Sequence, residues 1–524
     1  MTATVAKTPT DDEPMTHRQT MEALSGLLLV LFVAMLSATV VSTALPQIIG
    51  ALEGSQTQYT WVVTATLLAA TASTPIWGKL ADLFNKKVLV QAAIAVFIVG
   101  SVIAGFAQSA GQLIGARAFQ GIGVGGLQAL VQVAIAAMIP PRERGRYNGY
   151  LGGVMAVATV GGPLLGGVIV DTDWLGWRWC FFVGVPIALV ALVVLQFTLH
   201  LPTFRRENVK IDYLGAGLIA AGVSLLLVWI SFVDDSFGWL SWQTAAMVGG
   251  SLAILAVAVV VETKAKEPVV PLAIVRQRTT ALAILGSLAV GMAMFGGAVF
   301  LGQYFQIGRG YSPTEAGLLT IPMMAGVLGA SIVAGRMITR TGRIKPYIVT
   351  GSIVLVIGFG LLGMIDHETS MVYVGAAMLL VGTGVGMTMQ NLVLAVQNTV
   401  SLRDIGAASA TVAFFRSLGG TIGVSVLGAV LARHVKDGIT HGLAEAGIKV
   451  SGAGDSLNVS ALPEPIAHIV RAAYGDATGH IFLISAGIAV VSVIAALLLR
   501  PVTLRTSLDL REVPAPTGAG DRIG

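Results

Sequence analysis

Gly121-Ile122-Gly123-Val124-Gly125 recurs, with one substitution, as Gly382-Thr383-Gly384-Val385-Gly386, 261 residues further on. Two other glycine-marked segments repeat at nearly the same offset. Gly78-Lys-Leu-Ala-Asp82-Leu-Phe-Asn-Lys86-Lys87 is echoed 257 residues on by Gly335-Arg-Met-Ile-Thr-Arg340-Thr-Gly-Arg343. Gly161-Gly162 is echoed 258 residues on by Gly419-Gly420. Chance matches are easy in a chain with 64 glycines, but three in order at one spacing are not. The chain is read as two related halves.

The sequence around these marks is apolar in long runs. Of 524 residues, 55% are hydrophobic and only 11% are charged, against about 25% charge in ordinary soluble domains. A mean hydropathy of +0.82 agrees. These values exclude a soluble enzyme, a nucleic-acid binder and a disordered scaffold. Crossing a hydrocarbon core of about 30 Å takes roughly 20 mostly apolar residues as a helix. That window predicts fourteen spans, near 24–45, 58–77, 88–107, 111–138, 148–170, 180–201, 211–233, 242–262, 280–305, 314–336, 346–365, 371–396, 406–432 and 479–500. The short alternating segments of a β-barrel are not evident, so an all-α polytopic membrane protein is expected.

Net charge of +5 reflects where the basic residues gather. With the N-terminus inside, 24 of the 32 Lys and Arg fall in inner segments, the bias that sets membrane orientation. An even number of spans then puts both ends in the cytoplasm. Residues 1–23 read as a retained cytoplasmic tail, because no short apolar core with a small-residue cleavage site precedes the first span. The single Cys180 excludes an intrachain disulfide. The expected division is a six-helix bundle over 24–201, a two-helix insertion over 211–262, a second six-helix bundle over 280–500 with an outer loop at 433–478, and a tail over 501–524. Equivalent segments of the two bundles share a membrane side, so the repeat is parallel.

Several motifs together resemble the major facilitator superfamily over nearly the whole chain. Gly78 through Lys87 is similar to its loop signature. Arg117-Ala-Phe-Gln120-Gly121-Ile-Gly123 in the fourth span is similar to its arginine motif. Gly162-Pro163-Leu-Leu-Gly166-Gly167 in the fifth is similar to the motif of its antiporters. With Trp177-Arg178-Trp179-Cys-Phe181 and fourteen spans, the chain looks like the fourteen-helix drug:proton antiporter branch (QacA/EmrB type). It departs from that branch in the first span: Leu36-Ser37-Ala38-Thr39 stands where Leu-Asp-x-Thr is usual. Ser37 does not titrate, so a proton carrier at that position is lost.

The resemblance implies a proton-coupled exporter of small lipophilic compounds, working by alternating access in the cell membrane. It further implies a monomer that is not an enzyme and takes no cofactor or metal. For gating and coupling the candidates are Gly78, Asp82, Arg117, Gly162, Pro163, Asp171, Asp235 and Arg416. A glycine permits close backbone approach, and a carboxylate is stabilised at a neighbouring helix N-terminus. Gly78 and Asp82, with Lys86 and Lys87, therefore read as a latch on the inner gate. Arg117 and Arg416 are permanently cationic and costly against lipid, so both are expected to face inward. Pro163 frees a backbone carbonyl, and the glycines beside it permit tight helix contact; hinge and packing seam are both open. No acid lies clearly mid-membrane. Asp171 and Asp173, Asp234 and Asp235, and Glu262 come nearest, and Asp171 follows the antiporter motif by one turn.

For a substrate wall the candidates are Trp61, Gln128, Gln303, Tyr304, Gln306, Met387, Gln390, Asn391 and Phe414. Methionines repack around irregular ligands and aromatic faces attract cations, although for any single one of these residues helix packing is the better explanation. ATP drive is unsupported, since Ser73 and Leu80 break a phosphate-loop pattern around Gly78-Lys79. Two alternatives remain open at this stage: a dedicated exporter of one endogenous metabolite, antibiotic or lipid, and a non-transporting membrane protein such as a sensor or a membrane-embedded enzyme.

Overall fold

A computed structural model describes residues 17–53, 56–172, 174–199, 212–233, 237–265, 272–311, 313–401, 404–447, 463–501 and 504. Those residues are almost entirely helical. In chain order the helices of the first half are α1 (His17–Ala51), α2 (Gln56–Leu83), α3 (Lys86–Gly105), α4 (Ala110–Met138), α5 (Pro141–Asp171), α6 (Trp179–Phe182) and α7 (Gly184–Thr198). Next come α8 (Tyr213–Phe232) and α9 (Trp242–Lys264), followed by the short α10 (Leu272–Val275). The second half holds α11 (Arg278–Gln303), α12 (Pro313–Leu319), α13 (Ile321–Thr341), α14 (Lys345–Leu362), α15 (Met371–Gln397), α16 (Ile405–Glu445) and α17 (Glu464–Leu498). A π-helical turn, Tyr304–Gly308, closes α11.

Eleven of the described helical stretches are long and apolar enough to cross a membrane. Three expected spans, those of α2, α5 and α8, fall outside that set. The apolar part of α8 is the shorter Leu214–Trp229. α2 carries Gln56, Gln58 and six threonines, which lower its hydropathy.

The repeated glycines do the same work in both halves. A Cβ on Gly121 would lie 2.5 Å from the carbonyl oxygen of Thr66, and one on Gly125 2.3 Å from that of Ala70, so α4 presses on α2. Gly382 and Gly386 meet the carbonyls of Met323 and Val327 at 1.9 and 2.5 Å, pressing α15 on α13. The middle glycines turn to a third helix: Gly123 to Phe97 of α3, Gly384 to Leu355 of α14. Hydroxyls reinforce both seams, Ser73 donating to the Ile122 carbonyl and Ser331 to that of Gly386. Gly162 and Gly419 likewise set α5 on α1 and α16 on α11.

Two seams join the halves, α2 against α16 and α5 against α13. The α8–α9 pair packs outside the first of these. Ala216, Ile219, Val223, Leu227 and Ala258 form one apolar cluster with Leu68 and Ile76 of α2 and with Phe414 and Leu418 of α16. The outer loop expected over 433–478 is shorter than that. α16 continues to Glu445 and α17 begins at Glu464, because Leu427, Leu431, Val435, Ile439 and Leu443, spaced every four residues, form a stripe against Val470, Ala473, Ala477 and Ile481. A stripe at that spacing buries one helix face continuously and so carries both helices beyond the apolar span.

Candidate functional site

α16 lacks a cap of its own. Its flanking Asp404 makes no side-chain cap, its carboxylate instead accepting from the Ser401 hydroxyl at 2.7 Å. The first free amides of the helix are satisfied from the other half of the molecule. Gly406 N–H donates to Oδ1 of Asp82 and Ala407 N–H to Oδ2, both at 2.8 Å. A carboxylate bound through both oxygens at a helix N-terminus gains charge-assisted hydrogen bonds and the helix dipole together.

Two glycines make the approach possible. A Cβ on Gly78 would sit 2.2 Å from the Cβ of Ala410, and one on Gly406 2.5 Å from the Gly78 carbonyl oxygen. Lys79 and Lys86 add positive charge around Asp82. Lys87 does not join them. Its amide is capped by Asn85, and its Nζ donates to the Gln196 carbonyl of α7 at 2.6 Å, which pins the start of α3. The second half has no matching carboxylate: Thr339 occupies the Asp82 position, and its hydroxyl bonds back to the Gly335 carbonyl.

A second polar cluster lies deeper in the first half. Arg117 is 3% exposed and donates from Nη1 to Oε1 of Gln120 at 2.6 Å. Gln120, fully buried, donates in turn to Ser101 Oγ at 2.7 Å and Ser37 Oγ at 3.3 Å. The Ser101 hydroxyl donates to the Phe97 carbonyl at 2.8 Å. Ser37 of α1 is thus one side chain away from the buried guanidinium. Gln120 follows Arg117 by three residues, hence the same helix face; that spacing was the signal that identifies it as the partner.

Arg416 is 5% exposed on α16. Gly162 lets α5 reach Thr39, whose hydroxyl donates to the Ala158 carbonyl at 3.1 Å, and α5 runs on through Pro163. Asp171 ends α5, its side chain outside the described residues, and Asp235 lies wholly outside them. Glu262 is buried near the end of α9 beside Gly215.

The proposed wall residues do not form one surface. Gln390 meets Met155 across the halves at 4.0 Å, and with Gln132, Gln397, Ile135, Leu151, Val393 and Leu394 it borders a cavity of about 10 Å³, room for a single water. Gln128, one turn along α4 from Gln132, is half-buried. Asn391 folds back on the Met387 carbonyl at 2.7 Å. Met387 itself lines a groove with Ala325, Tyr347 and Thr383, between α13, α14 and α15. Phe414 is turned to the α8–α9 pair. Tyr304 is fully buried and donates to the Asp366 carbonyl at 2.8 Å, so it braces the π-helical turn. Trp61 is half-buried on the opening turns of α2, and the side chains of Gln303 and Gln306 lie outside the described residues.

Comparison with known proteins agrees with this architecture. The model of the Major Facilitator Superfamily matches residues 27–424. The multidrug transporter protein MdtP of Bacillus subtilis is 34% identical over 410 residues, covering 78% of this chain and 74% of that protein. An MFS-type transporter of Mycobacterium tuberculosis is 34% identical over 481 residues, 92% of this chain and 69% of the relative. The efflux pump dotC of Dothistroma septosporum is 32% identical over 502 residues, 94% and 85%. Among solved structures, the proton:xylose symporter XylE superposes with a TM-score of 0.60 at 15% identity, covering 93% of this chain and 97% of that one, a likeness of fold.

The chain belongs to the Major Facilitator Superfamily. It is a multi-pass membrane transporter and not an enzyme, and its similar proteins include named multidrug and efflux transporters.

Proposed function

We propose that the protein exports hydrophobic or amphipathic drugs in exchange for protons, by alternating access between its two halves. On this reading it is a monomer of the fourteen-helix drug:proton antiporter branch, set in the cell membrane with both ends in the cytoplasm. The observation that carries the reading is the bond of Asp82 to α16. A carboxylate of one half caps a helix of the other at the inner end of their seam, an interaction that must break whenever the seam opens there. Such a contact is a latch for the outward-facing state. The names of the relatives, multidrug transporter and efflux pump, supply the direction and kind of cargo.

Arg117, held by Gln120 beside Ser37, is the coupling cation in this scheme, and Gly162 and Pro163 form a seam that also moves. Asp171 or Asp235 carries the proton, since no acid stands at position 37. A membrane potential of 100 mV supplies about 2.3 kcal/mol per charge moved, near fiftyfold accumulation at about 1.36 kcal/mol per decade.

The test is ethidium flux in proteoliposomes containing the purified protein, with and without an imposed pH gradient. Gradient-dependent accumulation is expected, and abolition of the gradient and voltage should abolish it. Flux indifferent to both would overturn proton coupling. If Asp171→Asn and Asp235→Asn each keep full gradient-driven flux, the proton carrier lies elsewhere.

A further inference from the structure

Arg416 stands eleven residues beyond the first residue of α16, about 16 Å along a helix that rises 1.5 Å per residue. That depth is near the middle of a hydrocarbon core of about 30 Å. Its side chain is buried, and among the described residues it makes no hydrogen bond or ion pair; Nη1 in particular has no partner. Arg117 differs, having Gln120. A buried guanidinium without a counter-charge is unfavourable, and the chain does not shield it with lipid-facing exposure.

The helix opposite is held very close. A Cβ on Gly291 of α11 would lie 2.2 Å from the Arg416 carbonyl oxygen, so this face of α11 is pressed on α16. One turn earlier on the same face stands Ser287, buried, with an Oγ that also has no partner. Helical side chains lean toward the start of their helix, which carries the Arg416 guanidinium toward the level of Ser287. Two polar groups on adjoining helices, one charged and one neutral, are thus both buried without a partner. Along the α16 stretch of chain the nearest acids are Asp404 and Asp437, twelve and twenty-one residues from Arg416.

We propose that the α11–α16 seam receives the anionic head of an amphipathic substrate, a carboxylate, sulfonate or phosphate, with Arg416 as its charged ligand and Ser287 as a second donor. The planar fork of a guanidinium matches two oxygens of such a group at once. The assignment rests on the export reading above and gives it a substrate class: acidic amphipaths ahead of cationic dyes.

Three probes with one apolar body separate charge from size: pyrenesulfonate, pyrenemethanol and pyrenylmethyl-trimethylammonium, each titrated by fluorescence against the full-length protein in nanodiscs. The sulfonate is expected to bind tightest. Arg416→Gln should weaken it at least about tenfold, about 1.4 kcal/mol, while leaving the ammonium probe unchanged; Arg416→Lys should retain part of the affinity, and Ser287→Ala should lose a smaller part. A thermal midpoint for Arg416→Gln no lower than wild type, measured without probe, shows that the loss is not misfolding. Equal affinity for all three probes, preference for the ammonium, or unchanged sulfonate binding in Arg416→Gln would overturn the assignment. So would full displacement of the sulfonate probe by an equal concentration of inorganic sulfate, which marks a small-ion site. Binding as expected with no flux of any probe in proteoliposomes would instead count against export and leave the anion site standing.

Discussion

Replacing Asp82 by Asn keeps the shape of the side chain and removes its charge. In the structure each carboxylate oxygen accepts one backbone amide of α16, both at 2.8 Å. An amide side chain offers one acceptor oxygen, so one of those bonds is lost and the other ceases to be charge-assisted. A hydrogen bond to a charged group contributes about 1.5–3 kcal/mol, and a charge at a helix end about 0.3–1 kcal/mol. Allowing for the retained neutral bond, the latched state should lose about 2–3 kcal/mol, roughly 30- to 150-fold in its equilibrium with the released state.

Gln132 gives a readout, because it borders the small cavity closed between α4 and α15. On a Cys180→Ala background, Gln132→Cys should react slowly with a polar maleimide in purified protein. Adding Asp82→Asn should speed the reaction at least about tenfold, and Asp82→Ala at least as much. An acceleration below about twofold in both, with a normal thermal midpoint, would refute the latch.

Other outcomes follow from the same contacts. Gln120→Leu strands the donors and acceptors of Arg117, Ser37 and Ser101 together, so thermal stability in detergent should fall by about 2–4 kcal/mol equivalent. Gly382→Ala forces a Cβ to within 1.9 Å of the Met323 carbonyl and should lower the unfolding midpoint sharply or prevent folding, an overpacking cost of about 1–3 kcal/mol or more. Gly360→Ala and Gly487→Ala, where nothing lies within 4 Å, should be neutral in the same assay. Gly406→Ala should reproduce the accelerated labelling of Asp82→Asn, since the added methyl would meet Asp82 Oδ1 at 2.4 Å.

Much of the fold is legible because glycine leaves a mark wherever two helix backbones touch. The triads at 121–125 and 382–386 read as a duplication in the sequence and prove to be the same contact made twice. Asp82 is visible as a lone acid after a glycine, but the helix it caps is not, because α16 lies more than three hundred residues away and signals its need only by lacking a cap of its own. The Arg117 cluster is half legible: Gln120 is at helical spacing, whereas Ser101 and Ser37 come from two other helices. The substrate wall is the least legible part. Phe414, Met387 and Tyr304 have the right chemistry, yet helix rotation turns them to an inserted pair, a side groove and a bracing role. Polarity names candidates; only the angle about the helix axis says what they face.

The α8–α9 pair has a bearing on how cargo arrives. Its apolar cluster bridges α2 and α16, so on that flank the crack between the halves is sealed from surrounding acyl chains by two extra helices. On the other flank α5 packs directly on α13. The same pair touches both halves, so alternating access as proposed above would require Phe414 and Leu418 to slide across it.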